Sequence, residues 1–230
     1  MRTPILILIF ILLSLGTICF GQTCKSNQYD MLDWMVPQQP TLGGHYNVLY
    51  PSTGTFYWVK SSQGFPWDVD KFDSKYIYQS ITEQDWNDPR TYKIFQTPLP
   101  WMPRCISIPG MPGKLTSITV DATKTWFDIH ASCSSFTSDD LGYVVNEVWG
   151  PYNAAIGGLP AAPTLILSYR YSCDSEYTSC RYKETFAMQK KNGMVQWTYY
   201  TLENGQYVQA NQTTHSTVSL GAVTPVHPCW

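Results

Sequence analysis

An antiparallel β-sandwich or jelly roll is the fold this chain predicts, on three observations. Short segments alternating apolar and polar residues recur from residue 105 to the end. Two Asn-Gly pairs, Asn192-Gly193 and Asn204-Gly205, supply the positive φ that tight hairpins need. Tyr and Trp, common in strands, number 16 and nine, and nothing resembles a βαβ alternation.

In chain order, residues 1–22 read as a secretory signal. Arg2 gives a short basic region, 5–13 is an apolar run, and Gly21 and Gln22 offer a cleavage point. The apolar run is at the lower edge of membrane-spanning length and lacks a basic stop-transfer cluster. Cys19 lies in a poor lipid-attachment context. The mature region 23–230, about 208 residues, is enough for one sizeable core. It divides into an irregular arm with the first strands, 23–104, and an antiparallel meander, 105–230. In the arm, Ser26 or Asn27 is the expected cap of a short helix over 28–36, stopped by Pro37. Strands are expected at 56–60 and 76–79. Ser80 to Glu83 has capping-box spacing and Asp88-Pro89 resembles a helix start, so a second short helix is expected there. Pro98, Pro100 and Pro103 form a stiff connector to Cys105. The later strands are expected at 105–108, 115–120, 125–133, 143–149, 164–173, 182–189, 194–202, 206–212 and 217–220.

Six cysteines follow the leader, an even number that fits an oxidising compartment, extracellular or periplasmic. Cys173 and Cys180 bracket a short polar loop and are the natural local bridge. Cys24 with Cys229 would staple the two mature ends, leaving Cys105 with Cys133. The chain lacks Cys-x-x-Cys and its four histidines are scattered, which argues against zinc. A net charge of -2 without basic runs leaves no footprint for nucleic acid, and no second apolar stretch reaches membrane length. No dinucleotide or phosphate-loop fingerprint points to a cofactor. Asn211-Gln-Thr213 is a glycosylation sequon, relevant in a eukaryotic host.

Three groups of residues can carry function. Trp126, Asp128 and His130 would share one strand face: a ring to stack on a ligand, a carboxylate to orient it, and an imidazole able to act as general base. Tyr143, Glu147 and Trp149 would share a face of the next strand. A glutamate flanked by aromatics suits a glycosidase carboxyl group, with Asp128 or Glu184 as the second carboxyl that glycoside hydrolysis requires. Arg170 between two tyrosines can meet an anionic sugar, or pair with Glu184 on the neighbouring strand; the pairing is preferred. Asp68, Asp70 and Asp73 form a partial calcium ligand set that departs from the EF-hand pattern; a turn with capping aspartates is preferred. The leading expectation is a secreted, disulfide-stabilised protein that binds a glycan or another extracellular ligand. The alternatives are a polysaccharide-cleaving hydrolase or lyase using Glu147 or His130, and a structural or adhesion protein whose aromatics serve the core.

Overall fold

Alternating side chains must bury one face of each strand, and two sheets here bury theirs against each other. A computed structural model describes residues 24–35, 42–43, 45–50, 54–60, 66–85, 88–124, 127–131, 134–190, 192–214 and 216–217. Side chains are described for 24–35, 54, 69–82, 93–124, 140–190 and 192–214. The leader, Trp126, Cys133, Cys229 and the expected strand end at 218–220 lie outside the described residues.

The strands of the arm are β1 (Gln28–Asp30), β2 (Leu42–Gly43), β3 (His45–Tyr50), β4 (Thr55–Lys60), β5 (Pro66–Phe72), β6 (Tyr76–Asp85) and β7 (Asp88–Pro103). One helical turn, α1 (Leu32–Met35), follows β1. Next come β8 (Cys105–Ser107), β9 (Gly113–Asp121), β10 (Phe127–Ala131), β11 (Ser134–Asp139), β12 (Tyr143–Ala154), β13 (Ala162–Cys173), β14 (Cys180–Gln189), β15 (Gly193–Glu203), β16 (Gln206–Thr214) and β17 (Ser216–Thr217). A seven-stranded sheet runs β11-β10-β7-β6-β5-β4-β3 and a six-stranded sheet runs β16-β15-β14-β13-β12-β9. β1–β8 and β17–β2 form two-stranded sheets, and every pairing is antiparallel. The expected all-β antiparallel class is therefore observed.

The meander of the last third holds, and its turns explain it. Asn204 and Gly205 both take positive φ, 51° and 77°, and close a two-residue hairpin between Glu203 and Gln206. Asn192-Gly193 works differently. Gly193 alone takes positive φ, and the Asn192 N–H donates to the Gln189 carbonyl, so the hairpin carries three loop residues.

The main core draws on both sheets. Val144, Val148, Leu165, Leu167, Phe186 and Met188 come from the six-stranded sheet; Ile77, Phe95, Leu99, Trp101 and Met102 come from the seven-stranded one. Trp101 meets Phe186 edge-on at 5.0 Å, and Asn146 donates to the Pro100 carbonyl at 3.2 Å. α1 supplies Leu32, Trp34 and Met35 and touches β14 and β15.

The arm departs from expectation in three ways. The helix expected over 28–36 shrinks to one turn, because residues 28–30 pair with β8 and the cap is Asp30, which accepts the Leu32 N–H at 3.0 Å. Asp30 is held in turn by Arg104, whose Nε and Nη2 reach its two oxygens at 2.5 and 2.7 Å. The second helix is absent among the described residues: Ser80 to Glu83 lies inside β6 and Asp88-Pro89 opens β7. Helix-start signals there lose to strand pairing along the sheet. Pro98, Pro100 and Pro103 belong to β7 itself, whose pairing with β6 slips register beside Pro98 and Pro100.

Two disulfides are described. Cys173–Cys180 is the expected local bridge. Cys24 bonds Cys105, not Cys229, and this also overturns Cys105–Cys133. The reason is local pairing: β1 lies antiparallel on β8, with Asp30 opposite Cys105, and brings Cys24 to that edge. Closing a loop with a sequence separation of 81 contributes about 4 kcal/mol in a chain-entropy account. Among the described residues no helix is long and apolar enough to cross a membrane.

Candidate functional site

β12 shows how the sheet sorts its residues. Val144, Asn146 and Val148 are buried toward the facing sheet, which leaves Glu147 and Trp149 on the outer face. On β13, Leu165 and Leu167 turn inward while Ile166, Ser168 and Arg170 turn outward; on β14, Phe186 and Met188 turn inward while Lys183 and Thr185 turn outward. Register then lines up two outward rows. Glu147 lies beside Ser168 and Ser168 beside Thr185; Arg170 lies beside Lys183 and Lys183 beside Tyr200.

These rows floor a groove of about 350 Å³, lined by Glu147, Trp149, Tyr152, Arg170, Lys183 and Tyr207 together with Ile166, Ser168 and Thr185. One end of the outer face is covered. Leu159 packs on Ala187 and Val195, with Ile156 and Ile166 against them. The groove occupies the uncovered part.

Tyr152 reaches the groove only because β12 breaks its alternation. Trp149 faces Ile166 and Tyr152 faces Thr164, so β12 spends one more residue than β13 between these pairs. That extra residue rotates Tyr152 onto the face of Trp149. Gly150 makes the irregularity possible: its φ is 123°, and a Cβ there would stand 2.7 Å from the Thr164 carbonyl oxygen. Tyr152 is left 40% exposed.

The charges are unevenly matched. Glu147 Oε2 lies 3.4 Å from Arg170 Nη2 and its Oε1 3.3 Å from Lys114 Nζ. Lys114 also lies over the Trp149 ring, 5.6 Å from its centroid. Lys183 sits over two rings, Tyr200 at 5.0 Å and Tyr207 at 5.4 Å. Burial pushes the Lys183 ammonium down, the neighbouring Arg170 adds to this, and Glu147 opposes it. Tyr207 is anchored by donating its hydroxyl to the Cys180 carbonyl at 2.8 Å.

The residues expected to act are thus partly gathered and partly dispersed. Glu147, Trp149 and Arg170 converge. Tyr143 does not join them: it packs edge-on against Tyr177 at 5.3 Å. Arg170 pairs with Glu147, not with Glu184, because its cross-strand neighbour on β14 is Lys183. Glu184 is one residue further and points the opposite way, into the aromatic interior. There it accepts the Trp197 Nε1–H at 2.6 Å and the Tyr171 hydroxyl. Burial pushes its carboxyl above the usual range, against those two hydrogen bonds and the charge of Lys93. Glu147 and Glu184 therefore stand on opposite faces of one sheet. Asp128 lies on β10 in the seven-stranded sheet, which the outer face turns away from. Neither expected carboxyl partner shares the groove with Glu147. Asp128 and His130 occupy β10 beside Ile94 and Tyr92 of β7; their side chains lie outside those described.

Asp73, of the calcium set, is a turn residue. Its Oδ1 accepts the Lys75 and Tyr76 N–H groups at 2.6 and 2.9 Å, and its Oδ2 accepts the Tyr78 hydroxyl at 2.9 Å. Asp70 is buried in β5, and the side chain of Asp68 lies outside those described. Among the described residues no three His, Cys, Asp or Glu side chains come together as a metal site requires.

Sequence reasoning missed Lys114, Tyr152, Lys183 and Tyr207. For Tyr152 a signal existed, the Gly150-Pro151 step inside a strand pattern, which marks a bulge. For the others the information lies in strand register. Comparison of the chain with protein-family models, with curated proteins and with solved structures finds no match.

Proposed function

We propose that this is an exported, disulfide-stapled β-sandwich that binds carbohydrate in the groove on the outer face of its six-stranded sheet. The observation that carries the reading is the grouping of three rings, Trp149, Tyr152 and Tyr207, with the polar side chains of Glu147, Ser168, Arg170, Lys183 and Thr185 in one open depression. Sugar rings have apolar faces and hydroxyl edges. Aromatic side chains take the faces, while fixed donors and acceptors sort the edges. Binding without cleavage is favoured over hydrolysis, since Glu147 is the carboxyl group that lines the groove among the described residues and hydrolysis requires two.

The test is a glycan array with the oxidised mature protein, alongside a polysaccharide-degradation screen. Specific retention that falls by about tenfold in Trp149→Ala, with an unchanged circular dichroism spectrum, supports the reading. No retention on any glycan overturns it, and turnover of a retained polysaccharide replaces binding with catalysis.

A further inference from the structure

The charge arrangement of the groove narrows the ligand class, on the footing that the groove binds glycan. Three cations, Lys114, Arg170 and Lys183, surround one carboxylate, Glu147. Both oxygens of that carboxylate are already engaged, one by Lys114 and one by Arg170. Among the described residues Lys183 has no carboxylate within ion-pair distance. Arg170 and Lys183 are nevertheless direct cross-strand neighbours on one face, an arrangement that costs stability because like charges repel. The Nε of Arg170 is buried without a hydrogen-bond acceptor. The rings of Tyr200 and Tyr207 beneath Lys183 hold its ammonium over the groove floor. Among the described residues these three cations share one carboxylate, and the adjacent pair Arg170 and Lys183 stands beside a set of rings.

We propose that the glycan is acidic, and that a carboxylate or sulfate group on one sugar seats between Lys183 and Arg170 while a ring of the same chain lies against Trp149 and Tyr152. An anion there offsets the repulsion between the two cations and supplies acceptors for donors that the protein leaves short. A neutral sugar supplies acceptors through its hydroxyl oxygens but leaves the repulsion in place.

The experiment measures binding of the oxidised protein to two matched pairs: polygalacturonate against its fully methyl-esterified form, and dextran sulfate against dextran. Each pair keeps the backbone and removes the charge. Retention of at least one acidic member, with about tenfold weaker retention of its neutral counterpart, is the expected result. Which acidic member is retained separates carboxylate from sulfate recognition. Lys183→Met is expected to lose the preference, and Lys183→Arg to keep it; the second variant guards against misfolding of the first. Lys190→Met, at an exposed lysine paired with Asp33 away from the groove, is expected to leave binding unchanged. Equal binding of the charged and neutral members overturns the acidic assignment and leaves glycan binding standing. Equal losses in Lys183→Met and Lys190→Met also overturn it, since diffuse attraction to any lysine then explains the retention. Absence of binding to every probe and to a neutral-glycan array overturns both readings.

Discussion

The two faces of the six-stranded sheet solve opposite problems with similar residues. Each face carries a glutamate among aromatic rings, Glu184 on the inner and Glu147 on the outer. On the inner face the rings stack on one another: Tyr169 on Tyr171 at 4.9 Å, Tyr182 on Tyr199 at 6.2 Å, Trp197 on Tyr199 at 6.3 Å. Glu184 lies among them, held by hydrogen bonds from Trp197 and Tyr171 and acted on by the charge of Lys93. On the outer face Trp149 and Tyr207 stack with cations, not with each other, and Glu147 divides itself between two basic side chains. Aromatic content alone therefore says nothing about function here. What separates a core ring from a groove ring is whether its face is filled by another ring or lies beside a cation.

The largest effects should come from breaking this division by truncation. Trp101→Ala removes the ring that packs edge-on to Phe186 at the junction of the sheets, and is expected to cost about 3–5 kcal/mol in urea unfolding. Trp149→Ala, on the half-exposed outer face, is expected to cost less than about 1 kcal/mol while lowering glycan retention about tenfold. Equal costs would mean that Trp149 belongs to the core, and the functional difference between the faces would fall. Gly150→Ala comes next. Its methyl meets the Thr164 carbonyl in a backbone region that L-residues rarely adopt, so a loss of about 1–3 kcal/mol is expected. Binding should fall as well, because the irregularity at Gly150 is what turns Tyr152 outward. Full stability with full binding would remove the bulge from the account of the groove.

How much of this was legible in the sequence follows from what each feature depends on. Parity along one strand is local, so the outward placing of Glu147 with Trp149 and of Ser168 with Arg170 could be read from alternation. Parity between strands is not local. Shifting the pairing of β13 and β14 by one residue exchanges Lys183 for Glu184 opposite Arg170, and the two point to different faces. That single step separates a salt bridge inside one row from a repulsive pair in the groove. The disulfides divide in the same way. Cys173–Cys180 spans seven residues and is fixed by its own hairpin, whereas Cys24–Cys105 depends on β1 finding β8. In the arm, the capping signals near Ser80 and Asp88 were real local preferences overruled by sheet partners.

A smaller effect, of opposite sign at two carboxyl groups, sharpens the contrast. Burial raises the folded-state pKa of Glu184 above its unfolded value. Its contribution is then fully present below about pH 4.3 and is lost as pH rises through the folded value. Asp174, in the loop closed by Cys173–Cys180, is lowered by hydrogen bonds from the Thr178 side chain and then from backbone N–H groups. Its contribution is present above about pH 4 and is lost as pH falls through the folded value. Glu184→Gln should flatten the alkaline side of the stability profile, and Asp174→Asn the acid side. Unfolding in urea from about pH 3 to pH 8 measures both. A flattening of the same side by both variants would show that Glu184 is not governed by the enclosed inner face.

The smallest change tests the outer face most directly. Glu147→Gln keeps the shape and one acceptor oxygen, turns the other into an NH2 donor, and removes the negative charge that Lys114 and Arg170 share. The 3.3 Å pair has an exposed partner in Lys114 and is worth little, while the 3.4 Å pair with Arg170 is more enclosed, so a stability loss of about 1 kcal/mol is expected. If an acidic glycan binds as proposed, Glu147 competes with it for Arg170. Removing that competitor raises the positive potential of the groove, so retention of an acidic glycan should tighten by about three- to tenfold and become more sensitive to salt. A neutral glycan should be held no more tightly. If acidic binding instead weakens, Glu147 serves to position Arg170 for the ligand, and the outer carboxylate would be a fixed part of the binding surface, as Glu184 is a fixed part of the core.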